Sequence, residues 1–192
     1  MKKMSTLFEI DYISNKRGDI LDKVKEENSW VYKEDGVLAT RKFDGTACMI
    51  FNNKIYRRYD AKINKLTGEY KRAIPGVAIP CQEADRVTGH HPHWLLCSID
   101  NTSDKFHIEA LNKQAPLIDG TYELCGEKIG INSEKIEGRK LIKHGSELCN
   151  LKDFTFKTIN DYLEEHDIEG IVFYGADNKM CKIRKNDFGI KR

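Results

Sequence analysis

The chain has 192 residues, of which 40% are hydrophobic and 32% charged, and this composition predicts one folded domain and excludes a disordered chain. The formal net charge of +2 excludes a polycation that would bind nucleic acid through its overall charge alone. No apolar run is long enough for a signal peptide or a membrane span, so we expect an intracellular, cytoplasmic protein with no membrane partner and no obligate protein partner. The six cysteines contain no CxxC pair, and they are predicted to be small core residues.

The predicted elements are mostly strands. Residues 17–30 have apolar side chains at helical spacing and predict a short helix, whereas TACMIF and KIYRRY flank Asn52-Asn53 as a two-residue β-hairpin. This pattern predicts an α+β fold built on antiparallel sheets with flanking helices, in a single domain over residues 1–192 in which segment 1–35 is not placed. Further strands are predicted at 94–99, 106–111, 120–126, 168–174 and 180–184, and a helix is predicted at 158–166 with Thr158 as its cap.

Two polar stretches each have two possible interpretations. The segment RRYDAKINKLTGEYKR at 57–72 is rich in basic residues and is either a phosphate-binding surface or a solvated loop. The segment TGHHPHW contains His90, His91 and His93, which resemble metal ligands, but it lacks a second ligand pair and contains a proline. We therefore predict a polar loop there.

The stretch ATRKFDGTACMIF at 39–51 places Lys42 just before the turn signal Asp44-Gly45 and a predicted buried strand. A lysine held at the mouth of a sheet among cations such as Arg41 loses its proton more readily and becomes a nucleophile. The pattern Lys-x-Asp-Gly is a weak signal by itself, because a lysine is usually a solvated surface charge.

The last two predicted strands carry charged residues in an ordered array. Alternation predicts that Glu169 shares a strand face with Ile171 and Phe173, and that Lys182 and Arg184 share a face. A hairpin with a four-residue loop at 175–178 would pair Ile171 with Lys182 and Glu169 with Arg184. Such an array suits a bound nucleotide with a divalent metal ion, and an internal ladder of salt bridges is the alternative.

Four motifs in register identify a resemblance: KFDG at 42–45, YELCG at 122–126, EGIV at 169–172 and KIRK at 182–185. In order and context they resemble the covalent nucleotidyltransferases, which comprise ATP-dependent polynucleotide ligases and mRNA-capping enzymes. The closer similarity is to the vertebrate-type 5′-to-3′ RNA ligases and their viral and microbial relatives, and it covers nearly all of residues 36–190. This similarity also rests on RYDAK at 58–62, GINSE at 130–134, KHG at 143–145 and KIRKNDFGI at 182–190.

The resemblance implies the nucleotidyltransferase fold of a ligase adenylation domain and a three-step reaction with ATP and Mg²⁺ or Mn²⁺. Lys42 would take AMP from ATP, the AMP would pass to a 5′-phosphate RNA end, and a 3′-hydroxyl RNA end would then displace it. The implied catalytic residues are Lys42, Glu169 and Lys182. The same three residues are implied to bind the nucleotide, together with Asp44, Gly45, Arg58, Glu123 and Arg184. The implied residues for substrate phosphate are Arg57, Arg58, Lys62 and Lys185, and those for the metal, through water, are Asp44, Glu123 and Glu169.

The chain departs from the family pattern in two respects. The last motif usually has lysine at the position of Arg184, and the chain ends soon after Lys182, so no OB domain is expected. The expected absence of an OB domain favours RNA joining over a capping-type guanylyltransferase or a DNA end-joining ligase, and both remain alternatives; the Lys-to-Arg departure bears only on the role of Arg184. A non-catalytic RNA-end-binding module is a further alternative, and no role is assigned to His144.

Overall fold

The computed structural model describes residues 3–13, 16–64, 66–85 and 88–192, and the fold is α+β with mainly antiparallel sheets and few helices, as predicted. The chain forms two compact units: a central unit of Asp44–His144 with Lys3, and a flanking unit of Met4–Phe43 and Gly145–Arg192. Both units lie in the range predicted to form one domain. The strands are β1 (Ser5–Thr6), β2 (Phe8–Ile13), β3 (Lys16–Val24), β4 (Leu38–Lys42), β5 (Thr46–Phe51), β6 (Lys54–Lys62), β7 (Ile79–Pro80), β8 (His90–Leu96), β9 (Gly120–Gly126), β10 (Arg139–Lys143), β11 (Gly170–Tyr174) and β12 (Met180–Arg184). The helices are α1 (Trp30–Lys33), α2 (Lys105–Gln114) and α3 (Phe156–Glu165), with short 3₁₀ helices at Glu26–Asn28, Thr102–Asp104, Ala176–Asn178 and Lys185–Phe188.

The central unit is built on a six-stranded antiparallel sheet in the order β10-β9-β5-β6-β8-β7. The predicted hairpin between β5 and β6 is confirmed, because Asn52 and Asn53 both have positive φ (49° and 58°), as its two-residue turn requires. Alternate residues of the strands point to one face, where Cys48, Ile50 and Leu124 are buried against α2. This packing fixes the register of β5 and β9.

The flanking unit has a four-stranded sheet in the order β1-β12-β11-β4 and a separate two-stranded pair, β2 with β3. β11 is an inner strand whose Ile171 and Phe173 are fully buried. They pack in one cluster with Ile159 and Leu163, which lie one turn apart on α3. The helix begins at its cap Thr155, whose hydroxyl accepts a hydrogen bond from the Thr158 amide at 3.3 Å, so the predicted cap at Thr158 was three residues late.

Two predicted elements have the wrong type. The helix predicted at 17–30 is mostly strand β3, because pairing with the preceding strand β2 buries Ile20 and Val24 partly and leaves Leu21 exposed. The strand predicted at 106–111 is helix α2, in which the buried residues His107 and Ala110 are three positions apart, at helical spacing. In both segments the spacing of the apolar residues is compatible with the 3.6-residue repeat of a helix and with the two-residue repeat of a strand. Tertiary contacts therefore decide which element forms.

The histidine segment is also different from the prediction. His90, His91 and His93 lie in β8 and not in a polar loop, and the strand ends at Leu96 instead of reaching residue 99. Pro92 lies opposite Asp60 in β6, while its carbonyl accepts a hydrogen bond from the Cys81 amide at 2.8 Å. β7 covers only Ile79 and Pro80 along this edge, which is compatible with a proline inside the strand.

Four of the cysteines are core residues, as predicted: Cys48, Cys125, Cys149 and Cys181 are buried, whereas Cys81 and Cys97 are half-buried. Burial raises the pKa of the Cys181 thiol to about 12. Among the described residues, no helix has the length and apolar content that a membrane span requires.

His107 predicts how the stability of the central unit depends on pH. The side chain is buried in α2, and burial lowers its pKa below the ordinary 6.5, with Asp104 acting in the opposite direction. The unfolded chain therefore binds more protons than the folded chain between the lowered pKa and 6.5, so the free energy of unfolding falls as the pH falls below 6.5. We expect His107→Leu to reduce this slope.

The measurement is urea unfolding above and below pH 6.5, followed by tryptophan fluorescence. The chain has two tryptophans, one in each unit, so Trp30→Phe leaves Trp94 as the reporter of the central unit. Equal pH slopes for the proteins with and without His107→Leu would show that His107 does not carry the effect.

Candidate active site

Strand pairing in the flanking unit brings three of the predicted cations to one face of its sheet. Gly170 of β11 lies opposite Lys42 of β4 on one side and opposite Arg184 of β12 on the other. Val172 likewise lies opposite Lys182. Residues directly opposite each other in antiparallel strands share a face, so Lys42, Lys182 and Arg184 form a row on one face, which we call the cation face.

The register of this hairpin differs by one residue from the prediction. Ile171 pairs with Ile183 and not with Lys182, and Gly170, not Glu169, pairs with Arg184. The loop has five residues instead of four, with positive φ at Asp177 and Asn178 (54° and 58°). A shift of one residue in the register moves every side chain of a strand to the opposite face of the sheet. The fully buried Ile171 and Ile183 therefore share the core face, and Lys182 and Arg184 lie on the opposite face.

Glu169 contacts Lys42 directly. It lies one residue before β11, and its contact with Lys42 places its carboxylate beside the cation face and not on the core face with Ile171 and Phe173 as predicted. Its Oε2 forms an ion pair with Lys42 Nζ, and the two side chains are only 23% and 19% exposed. Lys42 Nζ also donates a hydrogen bond to the Phe43 carbonyl at 3.3 Å. This ion pair is shielded from solvent on most sides and is therefore stronger than a surface pair.

Burial and neighbouring cations act on Lys182. Burial is the first cause that lowers the pKa of its ammonium group below 10.5, and the positive charges of Arg184 and Lys42 lower it further. Glu169 and Asp187 act in the opposite direction. The cation face therefore favours a bound anion, which would offset the repulsion among these three side chains.

Arg184 is fixed at the start of the 3₁₀ helix Lys185–Phe188. Its amide donates to Asp187 Oδ2 at 2.8 Å, and its guanidinium nitrogen Nη2 lies 3.0 Å from Asp187 Oδ1. Asp187 is buried and was not predicted as a site residue, although KND directly after a strand is a local signal for such a cap. The guanidinium Nε also donates to Asp187 Oδ2 at 3.4 Å, and the two guanidinium contacts hold this group in one orientation.

A pocket of about 380 Å³ in the flanking unit adjoins these residues. Lys185, predicted to bind substrate phosphate, is itself 6% exposed, and its amide donates to the Glu169 carbonyl at 3.0 Å. Most of the side chains that line the pocket are basic, so it suits an anion. The pocket is lined by Glu169, Arg184, Lys185, Asn186, Ile190, Lys191 and Arg192.

Gly170 allows the close approach of β11 and β12. A Cβ atom at this position would lie 2.2 Å from the Ile183 carbonyl oxygen and 2.8 Å from the Arg184 Cα, both of them backbone atoms. We expect Gly170→Ala to destabilise the flanking unit by about 1–3 kcal/mol, the usual range for overpacking. Urea unfolding followed by Trp30 in a Trp94→Phe background measures this change.

The matched control is Gly189→Ala, whose Cβ would meet no atom within 4 Å. Gly189 has a φ of 75°, so this control includes backbone strain but no clash. A smaller loss of stability from Gly170→Ala than from Gly189→Ala would contradict the role of the close approach.

The central unit contains the other predicted residues. Asp44 Oδ2 accepts a hydrogen bond from Ser133 Oγ at 2.6 Å, and Glu123 Oε2 lies 2.7 Å from His144 Nε2. A Cβ atom at Gly45 would lie 2.3 Å from the Leu124 carbonyl oxygen, so this position requires glycine. Ser133 and His144 had no predicted role, although both lie in segments that carry the family resemblance.

The basic residues of β6 point to different faces. Arg57 Nε lies 2.7 Å from Asp104 Oδ1, and the Asp104 side chain is only 1% exposed, so this ion pair is largely shielded. Arg58 points to the opposite face, where its guanidinium lies 5.7 Å from the centre of the Trp94 ring. Lys62 is exposed at the end of the same strand. Phosphate binding by these three residues stays a prediction.

The residues predicted to hold a metal ion each contact another side chain: Asp44 contacts Ser133, Glu123 contacts His144, and Glu169 contacts Lys42. In the described part of the chain, no group of three or more His, Cys, Asp or Glu side chains could hold a metal ion. Mg²⁺ usually keeps several waters and binds through one or two carboxylates together with substrate phosphates. The residues present fit that water-mediated mode.

Comparison with known proteins gives no assignment. No protein-family model matches the chain, and no curated protein matches it. The chemistry of the site is therefore inferred from its geometry and from the sequence motifs.

Proposed function

We propose that this chain is an ATP-dependent RNA ligase with the nucleotidyltransferase fold of a ligase adenylation domain. The observation that carries the proposal is the shielded ion pair between Lys42 and Glu169 on the cation face. A shielded lysine beside one carboxylate and two further cations suits nucleophilic attack on a phosphate. The sequence motifs supply the reaction class and the choice of RNA.

In the first step, Lys42 Nζ attacks the α-phosphorus of ATP. A P–N bond forms, the bond between the α-phosphorus and the bridging oxygen breaks, and pyrophosphate leaves. The amine must be neutral when it attacks, and the Glu169 carboxylate contacts it and accepts its proton. Lys182 and Arg184 neutralise the negative charge that develops on the phosphate oxygens.

In the second step, a 5′-phosphate oxygen of RNA attacks the phosphorus of the AMP on Lys42; a P–O–P bond forms, the P–N bond breaks, and the lysine leaves as the amine. A 3′-hydroxyl then attacks the activated 5′-phosphate, forms the phosphodiester bond and releases AMP. The pocket that contains Lys185 and Lys191 has the basic lining that a terminal phosphate needs.

Mg²⁺ would supply charge neutralisation at the phosphates when it is bound. Glu169 would hold it through water in the flanking unit, and Asp44 and Glu123 have the same expected role in the central unit. The roles of Gly45 and Arg58 in nucleotide binding, and those of Arg57 and Lys62 in phosphate binding, are part of the same proposal.

Intact-mass spectrometry of protein stripped of bound nucleotide tests the proposal. After incubation with ATP and Mg²⁺ we expect a gain of one AMP per chain, and we expect none with GTP. A GMP adduct would favour the capping-type guanylyltransferase, and sealing of nicked DNA in a joining assay would favour the DNA ligase. RNA binding without any adduct would favour the non-catalytic module.

A further inference from the structure

The end of β6 forms a second basic pocket, which lies within the central unit. Beyond β6 the Asn64 amide donates to the Glu69 carbonyl at 2.7 Å, so the chain reverses direction there. Residues 70–73, which we call the return segment, then run beside β6. The Lys71 amide donates to the Lys62 carbonyl at 2.8 Å, and the Tyr59 hydroxyl donates to the Ala73 carbonyl at 3.3 Å.

The space between β6 and the return segment is a pocket of about 330 Å³. Three of the residues that line it are cations, Lys62, Lys71 and Arg72, and all three are exposed. The one acidic residue in its lining, Asp60, contacts His90 Nδ1. The pocket is therefore positively charged, and its volume is near the lower end of the range for small-ligand sites, roughly 300–1,000 Å³.

Aromatic rings lie against the same part of the sheet. His91 and His93 are on one face of β8, opposite Ala61 and Tyr59 of β6. Tyr70 of the return segment stacks on His91 with ring centres 5.8 Å apart and an interplanar angle of 24°, and its hydroxyl lies 2.5 Å from His91 Nδ1. Tyr70 is 40% exposed, so a ligand can reach this stack from solvent.

We propose that this surface, formed by Tyr59, Lys62, Tyr70, Lys71, Arg72 and His91 and called the strand platform, binds a single strand of RNA. Cations that contact a phosphate backbone, next to an exposed aromatic ring such as that of Tyr70 on which a base stacks, are the combination that binds single-stranded nucleic acids. The choice of RNA rests on the proposed ligase function.

The alternative occupants fit the platform less well. An acidic peptide would use the cations but has no base to stack on Tyr70. A duplex keeps its bases stacked on each other, so it cannot offer a base to the ring. These two ligands are therefore the comparison probes.

The test measures RNA affinity without any joining chemistry. Fluorescence anisotropy follows binding of a labelled single-stranded RNA of mixed sequence with a 5′-hydroxyl end, in the absence of ATP. The variants are the double substitution Lys71→Ala with Arg72→Ala, and the single substitutions Tyr70→Ala and Tyr70→Phe. The matched control is Lys105→Ala with Lys140→Ala, which removes the same charge from two other exposed positions of the central unit.

For the double variant we expect a larger loss of affinity than for the charge-matched control. We also expect a change in the slope of log K for RNA binding against log salt concentration. This slope should be shallower by about 0.7 for each phosphate contact that is lost. Tyr70→Ala should weaken binding by at least about fivefold, and Tyr70→Phe, which keeps the ring, should retain most of the affinity. Equal losses in the variant and its control would overturn the proposal, as would displacement of the RNA by polyglutamate or tighter binding of a duplex.

Self-adenylylation by intact mass, which needs no RNA, separates this proposal from the ligase function. Failure of the unaltered protein to take up AMP, with RNA binding that still depends on Tyr70 and Lys71, would contradict only the ligase proposal. Normal AMP uptake with RNA binding that is insensitive to the platform variants would overturn only the strand platform.

Discussion

Lys42→Ala will abolish the transfer of AMP to the protein, and Lys42→Arg will abolish it as well. Alanine removes both the nucleophile and the ion pair with Glu169, whereas arginine keeps a positive charge for Glu169 but carries a guanidinium that stays protonated. The pair of variants therefore separates loss of the nucleophile from loss of the ion pair. Intact-mass spectrometry after incubation with ATP and Mg²⁺ measures the adduct.

Lys33→Ala is the control, since Lys33 is an exposed lysine of α1 in the same unit. We expect it to take up AMP at the rate of the unaltered protein. An adduct on Lys42→Arg would mean that a different residue accepts the nucleotide, and peptide mapping of that adduct would identify it. The thermal unfolding midpoint of each variant checks that a missing adduct does not reflect a missing fold.

Glu169→Gln should slow self-adenylylation by about a hundredfold or more, the scale on which lost electrostatic stabilisation acts in enzymes. Glutamine keeps the shape of the side chain and can still accept a hydrogen bond from Lys42 Nζ, but it cannot take the proton from the amine or carry charge toward Mg²⁺. Single-turnover labelling with radioactive ATP, over a range of Mg²⁺ concentrations, gives the rate.

Glu147→Gln is the matched control, because Glu147 is half-exposed and pairs with Arg41 at 3.1 Å. An exposed pair of this kind contributes little to stability, so we expect normal labelling from this variant. Labelling kinetics of Glu169→Gln that equal those of the control would remove Glu169 from the chemistry. A slow rate that recovers at higher Mg²⁺ would indicate that the carboxylate acts chiefly toward the metal ion.

Local signals in the sequence were enough to predict several elements. β5, β9 and β12 begin and end at the predicted residues, because each is a short apolar or alternating run bounded by turn residues. The hairpin at Asn52-Asn53 was also predictable, since two consecutive asparagines tolerate positive φ. These features depend on residues close together in the chain.

Features that depend on strand pairing and on loop conformation were not predictable. The segment of β3 was predicted to be a helix because its apolar spacing also suits a helix, and its pairing with β2 makes it a strand. The predicted register of the β11–β12 hairpin was wrong by one residue. The length of its loop depends on positive φ at Asp177 and Asn178, and the composition of the loop does not determine whether those residues adopt it.

The candidate site also combines features that the sequence predicts with features that it does not. The motifs identified Lys42, Glu169 and Lys182 as members of one site, but the contact between Lys42 and Glu169 joins residues 127 positions apart. No spacing rule predicts which carboxylate such a lysine contacts. The partners Ser133 and His144 were present in the family segments, but a linear motif does not show which side chain each one meets.

The glycine between Lys42 and Arg184 has a consequence for the size of the ligand. Since Gly170 lies between them on the middle strand, the Cα atoms of Lys42 and Arg184 are two strand spacings apart, roughly 9–10 Å. Gly170 itself is buried, and Asp187 holds the arginine head in place. The cation face thus favours an elongated anion, such as a chain of linked phosphates, over a compact one such as inorganic phosphate.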